Sequence, residues 1–183
     1  MKDLLAFIWE VLKIVVIALL IVLPIRYFLF QPFFVNGQSM EPNFEDGDYL
    51  IVDELSYRMR APERGEVVVF NYPHDPTQRY IKRIIGLPGE TLEIVNGKIY
   101  VLSNGNKEYN ELDESSYLST AYTSGSLTVE LGESEYFVLG DNRVASSDSR
   151  KWGNLPKENI IGRVYLRAWP IASFDKIETP VYQ

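Results

Sequence analysis

Apolar and polar positions are distributed unevenly along this chain. From Ile14 to Ile25 it reads IVVIALLIVLPI without a charge; Glu10, Lys13 and Arg26 flank that run, and Leu4 to Phe34 is mostly apolar. A helix over residues 4–30 would be about 40 Å long, enough to cross a hydrocarbon core of about 30 Å with some tilt. Lys13 and Arg26 can snorkel toward opposite interfaces. Trp9 on one side, and Tyr27, Phe28, Phe30, Phe33 and Phe34 on the other, are placed as aromatic belts. A cleaved secretory signal would carry a small-x-small site after the run, where this chain has RYFLFQPFF. A buried core helix conflicts with hydrophobicity on all sides at a chain terminus. The pattern therefore predicts a membrane anchor over residues 1–31. Lys2 and Lys13 before the span, against Arg26 after it, favour a cytoplasmic N-terminus and an extracytoplasmic remainder.

Beyond Phe34 the period changes. DYLIVDEL, GEVVVFNY, RYIKRIIG, TLEIVNGKIYVL, SLTVEL, EYFVLG and IIGRVYLRAW are short runs rich in β-branched and aromatic residues, punctuated by Gly, Pro, Asn and Asp. Asn96-Gly97 between two such runs predicts a two-residue hairpin. The expected fold is mainly β: an antiparallel multi-sheet or distorted-barrel domain over residues 32–183, preceded by one transmembrane helix. Residues 103–126 are polar and read as a small excursion on the β body.

Composition narrows the chemistry. At 183 residues, 46% apolar and 23% charged, the chain suits one folded domain with an appendage. A net charge of −7 with no basic block argues against nucleic-acid binding. There is no cysteine and only one histidine, His74, so thiolate chemistry and multi-histidine metal sites are excluded. No metal or cofactor is expected.

Three segments could carry chemistry. In VNGQSMEPNF, residues 35–44, Gly37 allows a sharp turn that lets Ser39 present both its Oγ and its N–H to one point. Taken alone, a serine near a glycine is usually a turn residue. In RYIKRIIGLPGE, residues 79–90, strand alternation sets Tyr80, Lys82 and Ile84 on one face and Ile81, Arg83 and Ile85 on the other. Lys82 is an exposed edge-strand lysine in the bland reading. In the sharp one it is desolvated, its pKa lowered from near 10.4 to about 8 at a cost of roughly 3 kcal/mol. A neutral amine can then take a proton from serine. VLGDNRVASSDSRKWG, residues 138–153, has the make-up of either a long polar turn or a hydrogen-bonded loop. Asp148 and Arg150 can pair there, and Ser146 or Ser147 can orient a lysine amine.

Together these segments resemble the boxes of bacterial signal peptidase I, the membrane-anchored Ser/Lys protease family that removes signal peptides. GQSMEP is similar to its nucleophile box, GDYLIV to the next strand box, YIKRIIGLPGE to its lysine box and GDNRVASSDSRKWG to its last box. IIGRVYLRAWP resembles its final strand. The conjunction, rather than any one residue, overrides the bland readings. The resemblance implies that Ser39 is the nucleophile, Lys82 the general base and Ser146 the residue that orients the lysine. It implies a structural ion pair Asp148–Arg150 beside the site, with Asp141, Asn142 and Arg143 shaping the loop. Phe33, Val35, Met40, Phe44, Tyr80 and Ile81 match positions lining shallow pockets for small side chains. Position 37 is Gly where some members carry a serine that binds the oxyanion. The oxyanion donors are therefore expected to be the Ser39 N–H and a backbone N–H near Gly37. Asn43 stands where Thr is common and Glu90 where Asp is common; neither touches the expected chemistry.

The implied activity is signal-peptide cleavage after small residues at −1 and −3, at the outer face of a cell membrane. The partners would be preprotein signal peptides and the lipid bilayer, with the site near the translocation machinery and Phe33 and Phe34 at the lipid interface. A self-cleaving Ser/Lys repressor would need an N-terminal DNA-binding domain where this chain has its apolar run. A histidine-based signal peptidase would need His in place of Lys82, and His74 instead reads as a surface loop residue. A catalytically silent tethered β module would have no use for Ser39, Lys82 and Ser146 together.

Overall fold

The computed structural model describes residues 2–182 apart from Leu29, Asn104, Lys107 and Ala121; the side chains of residues 2, 3, 5, 6 and 21–30 are also outside the description. An N-terminal helix α1, Lys2–Phe28, precedes strands β1 Phe30–Phe34 and β2 Tyr49–Asp53, and a short helix α2, Ser56–Met59. There follow β3 Val67–Tyr72, β4 Asp75–Gly86, β5 Thr91–Val95, β6 Lys98–Leu102, β7 Asn110–Glu111, β8 Leu127–Glu130 and β9 Glu135–Leu139. The chain closes with α3 Ser149–Trp152, β10 Leu155–Pro156, β11 Ile160–Trp169 and β12 Asp175–Lys176. Each β-branched run of the sequence lies on a strand. The Asn96-Gly97 hairpin forms between β5 and β6, with φ of 52° and 81°, the double left-handed turn that suits strand twist.

The strands make two antiparallel sheets. The larger runs β1-β2-β11-β3-β4-β9-β10, with β12 on β11; the smaller runs β7-β6-β5-β8. β1 is thus an edge strand. β4 pairs with β3 from Asp75 to Arg83 but with β9 only from Arg83 onward, which leaves the other edge of its first half open. Burial follows this change: Pro76–Arg79 are exposed and Ile81–Gly86 are buried. The residue 103–126 segment wraps the smaller sheet. Leu112 N–H bonds to Ile99 O, Thr123 N–H bonds to Gly97 O, and the Tyr122 ring covers Gly97 so closely that a Cβ there would overlap it.

Among the described residues no helix is long and apolar enough to cross a membrane. The span expected over residues 4–30 is therefore not borne out by the described residues. Five of the twelve residues of its apolar run, Ile21 to Ile25, fall outside the described side chains, as do Lys2, Arg26, Tyr27, Phe28 and Phe30.

Candidate active site

The loop after β1 presents Ser39. Gly37 takes φ of +88°, a backbone region that only glycine enters at little cost. That turn aims the Gly37 N–H at Asp46 Oδ1, 2.7 Å away. Below it, Val35 is bound through its N–H and C=O to Asp48 and Gly47, and Phe44 N–H closes a turn onto Met40 O. Val35, Met40 and Phe44 are 3%, 0% and 1% exposed and belong to one core cluster with Leu50, Val52, Val67, Val69, Ile81 and Val164. They anchor the loop from beneath. Unlike Phe33, Tyr80 and Ile81, they do not line the dyad cavity, so their expected role as pocket lining is not seen.

Lys82 arrives from β4, opposite Val68 of β3. It is 4% exposed. Its Nζ stands 2.7 Å from Ser39 Oγ and 2.7 Å from Ile81 O, and 5.6 Å from the centre of the Tyr80 ring. Burial pushes the amine down to about 8, against the carboxylates of Asp148 and Asp141, which pull it up. An amine poised there, in hydrogen-bonding reach of an alcohol, can accept its proton near neutral pH. The dyad opens into a cavity of about 340 Å³ between β1 and the open half of β4, lined by Phe33, Phe34, Tyr80, Ile81 and the dyad itself.

The loop after β9 closes the site from the other side. Asp148 is fully buried. Its carboxylate pairs with Arg150 through Nε and Nη2, both at 2.8 Å, and accepts from Gly140 N–H at 3.1 Å. Burial works to raise this carboxyl, and the bonds from Arg150 and Gly140 N–H hold it below the usual range. Asn142 N–H bonds to Ser39 O at 3.1 Å, which ties this loop to the nucleophile loop. Arg143 bonds back to Gly140 O and pairs with Glu114.

Two expected contacts are not made. Ser146 is 1% exposed, but its Oγ has no hydrogen-bond partner, and the Lys82 bonds go to Ser39 and Ile81. The hydroxyl is packed over Gly140, where even a Cβ would overlap both it and Ser39 O. The Gly37 N–H, expected as an oxyanion donor, is engaged by Asp46. The Ser39 N–H has no acceptor among the described residues and remains available. His74 is exposed on the β3–β4 turn, with Nε2 3.2 Å from Trp152 O, and does not line the dyad cavity.

Several supporting residues were not singled out from the sequence. Arg83, next to Lys82, is 3% exposed and makes a fork with Asp141 at 2.9 and 2.7 Å. Asn43 Nδ2 donates to Asp141 Oδ2 at 2.8 Å and to Tyr117 O at 2.9 Å. Arg167 reaches Asn43 O and Asp48 from β11. The alternation of β4 put Arg83 on the face away from Lys82, and a buried arginine there was the available signal for an acidic partner.

The sequence has relatives among known proteins. Residues 8–169 match the family model described as signal peptidase, peptidase S26. The chain is 41% identical over 170 residues to a probable signal peptidase I-2 of Synechocystis sp., covering 88% of this chain and 73% of that protein. It is 32% identical over 178 residues to signal peptidase IB of Staphylococcus aureus, covering 87% of this chain and 88% of that one. A crystal structure of a signal peptidase I from Enterococcus faecalis aligns with a TM-score of 0.49 at 31% identity, over 57% of this chain and 97% of that one. With its sequence matched over nearly the whole β body, this chain belongs to the signal peptidase, peptidase S26, family.

Proposed function

We propose that this chain is a serine endopeptidase that removes signal peptides from translocated preproteins. The observation that carries the reading is the 2.7 Å contact between Ser39 Oγ and a buried Lys82 amine held near 8. An extended substrate lies between the edge of β1 and the open half of β4, adding as a strand whose main-chain bonds demand no sequence. Phe33, Tyr80 and Ile81 line the space that admits small side chains before the cut. Lys82 takes the Ser39 proton as Oγ attacks the scissile carbonyl. The Ser39 N–H receives the developing oxyanion, and one such donor is worth about 2.7–4 kcal/mol. A second donor enters if Gly37 N–H leaves Asp46. Protonated Lys82 then gives its proton to the leaving amine and activates water for deacylation. The Asp148–Arg150 pair and the Asp141, Asn142 and Arg143 contacts keep the loop around the amine closed. Ser146 packs against Gly140, whose N–H holds the Asp148 carboxylate.

The same reading makes residues 1–31 a single-pass anchor with a cytoplasmic N-terminus and residues 32–183 an extracytoplasmic catalytic domain close to the translocation machinery. Every large apolar side chain described from Leu4 to Leu20, Trp9 included, is exposed, which supports a lipid phase as the medium that covers the helix. Exposed Phe34 sits at the mouth of the cleft, where a membrane-borne substrate would enter.

The test is incubation of the full chain in detergent micelles with a signal-peptide-bearing preprotein, followed by mass mapping of the cut. Ser39→Ala and Lys82→Ala are each expected to lower turnover by about 10³-fold or more. Near-normal turnover in either variant would overturn the mechanism.

A further inference from the structure

A second cavity, of about 440 Å³, adjoins the dyad cleft. Ala145 lines the first space and its neighbour Val144 the second, so the two meet at the loop after β9. Glu41 and Pro42, two and three residues beyond the nucleophile, line it with Asn142. Its far wall comes from the polar excursion: Leu118, Thr120 and Tyr122. Val144 is 90% exposed and Tyr122 59% exposed, whereas Leu118 is buried.

This wall is built, not draped. Glu114, Thr123 and Arg143 are all buried, and the Arg143 guanidinium bonds to both Glu114 and Thr123. Asn43 of the nucleophile loop holds Tyr117 O, and the Arg83 guanidinium lies 4.1 Å from the centre of the Tyr117 ring. Both ends of the segment 114–123 are therefore fastened to the loop that carries Asp148, and its middle, through Tyr117, to the loop that carries Ser39. Buried charged groups are costly to desolvate. Here they give a fixed shape to a stretch that has no regular sheet partner of its own.

A bound peptide continues on both sides of its scissile bond at about 3.3 Å per residue. If the dyad cleft takes the residues before the cut, the residues after it pass over Ser39 toward Pro42 and Val144. We propose that the excursion wall, with Pro42 and Val144, forms a subsite for the first residues of the released mature chain and that it favours an apolar or aromatic side chain. The proposal rests on the proteolytic reading above and gives the residue 103–126 excursion a role in substrate selection. The lining from Pro42, Leu118, Tyr122 and Val144 is apolar; Asp141 and Arg143 on the same lining are paired with Arg83 and Glu114, which leaves Glu41 to repel an acidic side chain.

The experiment uses the full chain in micelles and preproteins identical up to the cut, with Leu, Phe, Gly or Asp at the first two positions after it. Leu and Phe substrates are expected to exceed the Gly substrate by about 10-fold in kcat/KM, as for an apolar side chain entering a matched pocket, with Asp lowest. Val144→Asp and Tyr122→Ala are expected to reduce that advantage to about two-fold or less. The Gly substrate should be cut at the wild-type rate, and a small serine-directed acylating inhibitor should label Ser39 at the wild-type rate, which also reports folding. A wild-type profile that is flat across efficiently cut substrates would overturn the subsite, as would variants that slow all four substrates equally. Failure of the wild-type chain both to cut any substrate and to be acylated would instead overturn the proteolytic reading, and the subsite with it.

Discussion

Two neighbouring cations on β4 meet opposite fates. Lys82 and Arg83 are 4% and 3% exposed, so both have been taken almost wholly out of water. Strand alternation sends them to opposite faces. On one face Lys82 finds an alcohol and a carbonyl, with the Asp148 and Asp141 carboxylates outside hydrogen-bond contact, and burial dominates; its amine falls to about 8. On the other face Arg83 meets Asp141 fork to fork and lies over the Tyr117 ring. Burial works against its charge too, but the Asp141 contacts outweigh it and the guanidinium is held more firmly protonated. Equal burial therefore does not decide charge. A partner in direct contact does, because a hydrogen-bonded opposite charge can offset desolvation and a remote one cannot. In the proposed mechanism the strand supplies one cation as the base, and it uses the next as a rivet.

The comparison is broken most sharply at Lys82. Lys82→Met keeps the stem and removes the amine. Cleavage is expected to drop by about 10³-fold or more in a preprotein assay, and the variant should be more stable than wild type at pH 7 in urea denaturation. The folded amine titrates about 2.5 units below its unfolded value of 10.5, so below pH 8 its protonation favours the unfolded chain by roughly 3 kcal/mol. That penalty disappears as pH rises from 8 to 10.5. The stability difference between wild type and Lys82→Met should therefore shrink across that window, and a constant difference would contradict the assigned burial effect.

Breaking the other face has the next largest effect. Asp141→Ala leaves Arg83 buried without its partner, and a loss of about 3–5 kcal/mol is expected by denaturant titration. Arg83→Met combined with Asp141→Leu should recover much of it, because neither charge is then stranded.

Activity should report the same amine. At fixed substrate, kcat/KM is expected to climb about tenfold per pH unit below a break near 8, and to level above it. Asp148 raises the Lys82 pKa, so Asp148→Asn should move the break to lower pH. A break that stays put would mean that Asp148 acts only on the loop. The smallest effect is expected at Asn43. Asn43→Ala removes its bonds to Asp141 and Tyr117 O and should cost about 1–2 kcal/mol of stability while leaving the pH break in place.

Much of this was legible in the chain itself. The seven β-branched runs, the Asn96-Gly97 hairpin and the seating of Lys82 between an aromatic and a β-branched neighbour all depend on alternation and φ preference within a few residues. The motif order was enough to bring Ser39, Lys82 and the Asp148–Arg150 pair forward as one site. Less visible was the direction in which the nucleophile loop turns. Val35, Met40 and Phe44 were read as lining the substrate pockets, but they pack in the core beneath the loop and do not line the dyad cavity, and the Gly37 N–H goes to Asp46. Ser146 was read as orienting the lysine, and its hydroxyl makes no hydrogen bond, to the lysine or to any other group.

Local order, then, was determined by the sequence alone: which stretches extend, where they turn, and which residue types carry the chemistry. Only the tertiary structure decided the partners. Arg83 with Asp141, Arg143 with Glu114 and Arg167 with Asp48 are 58, 29 and 119 residues apart. Nothing within one strand or turn encodes such a match, since each charge is neutralised only when distant elements pack and expel the water that would otherwise solvate it.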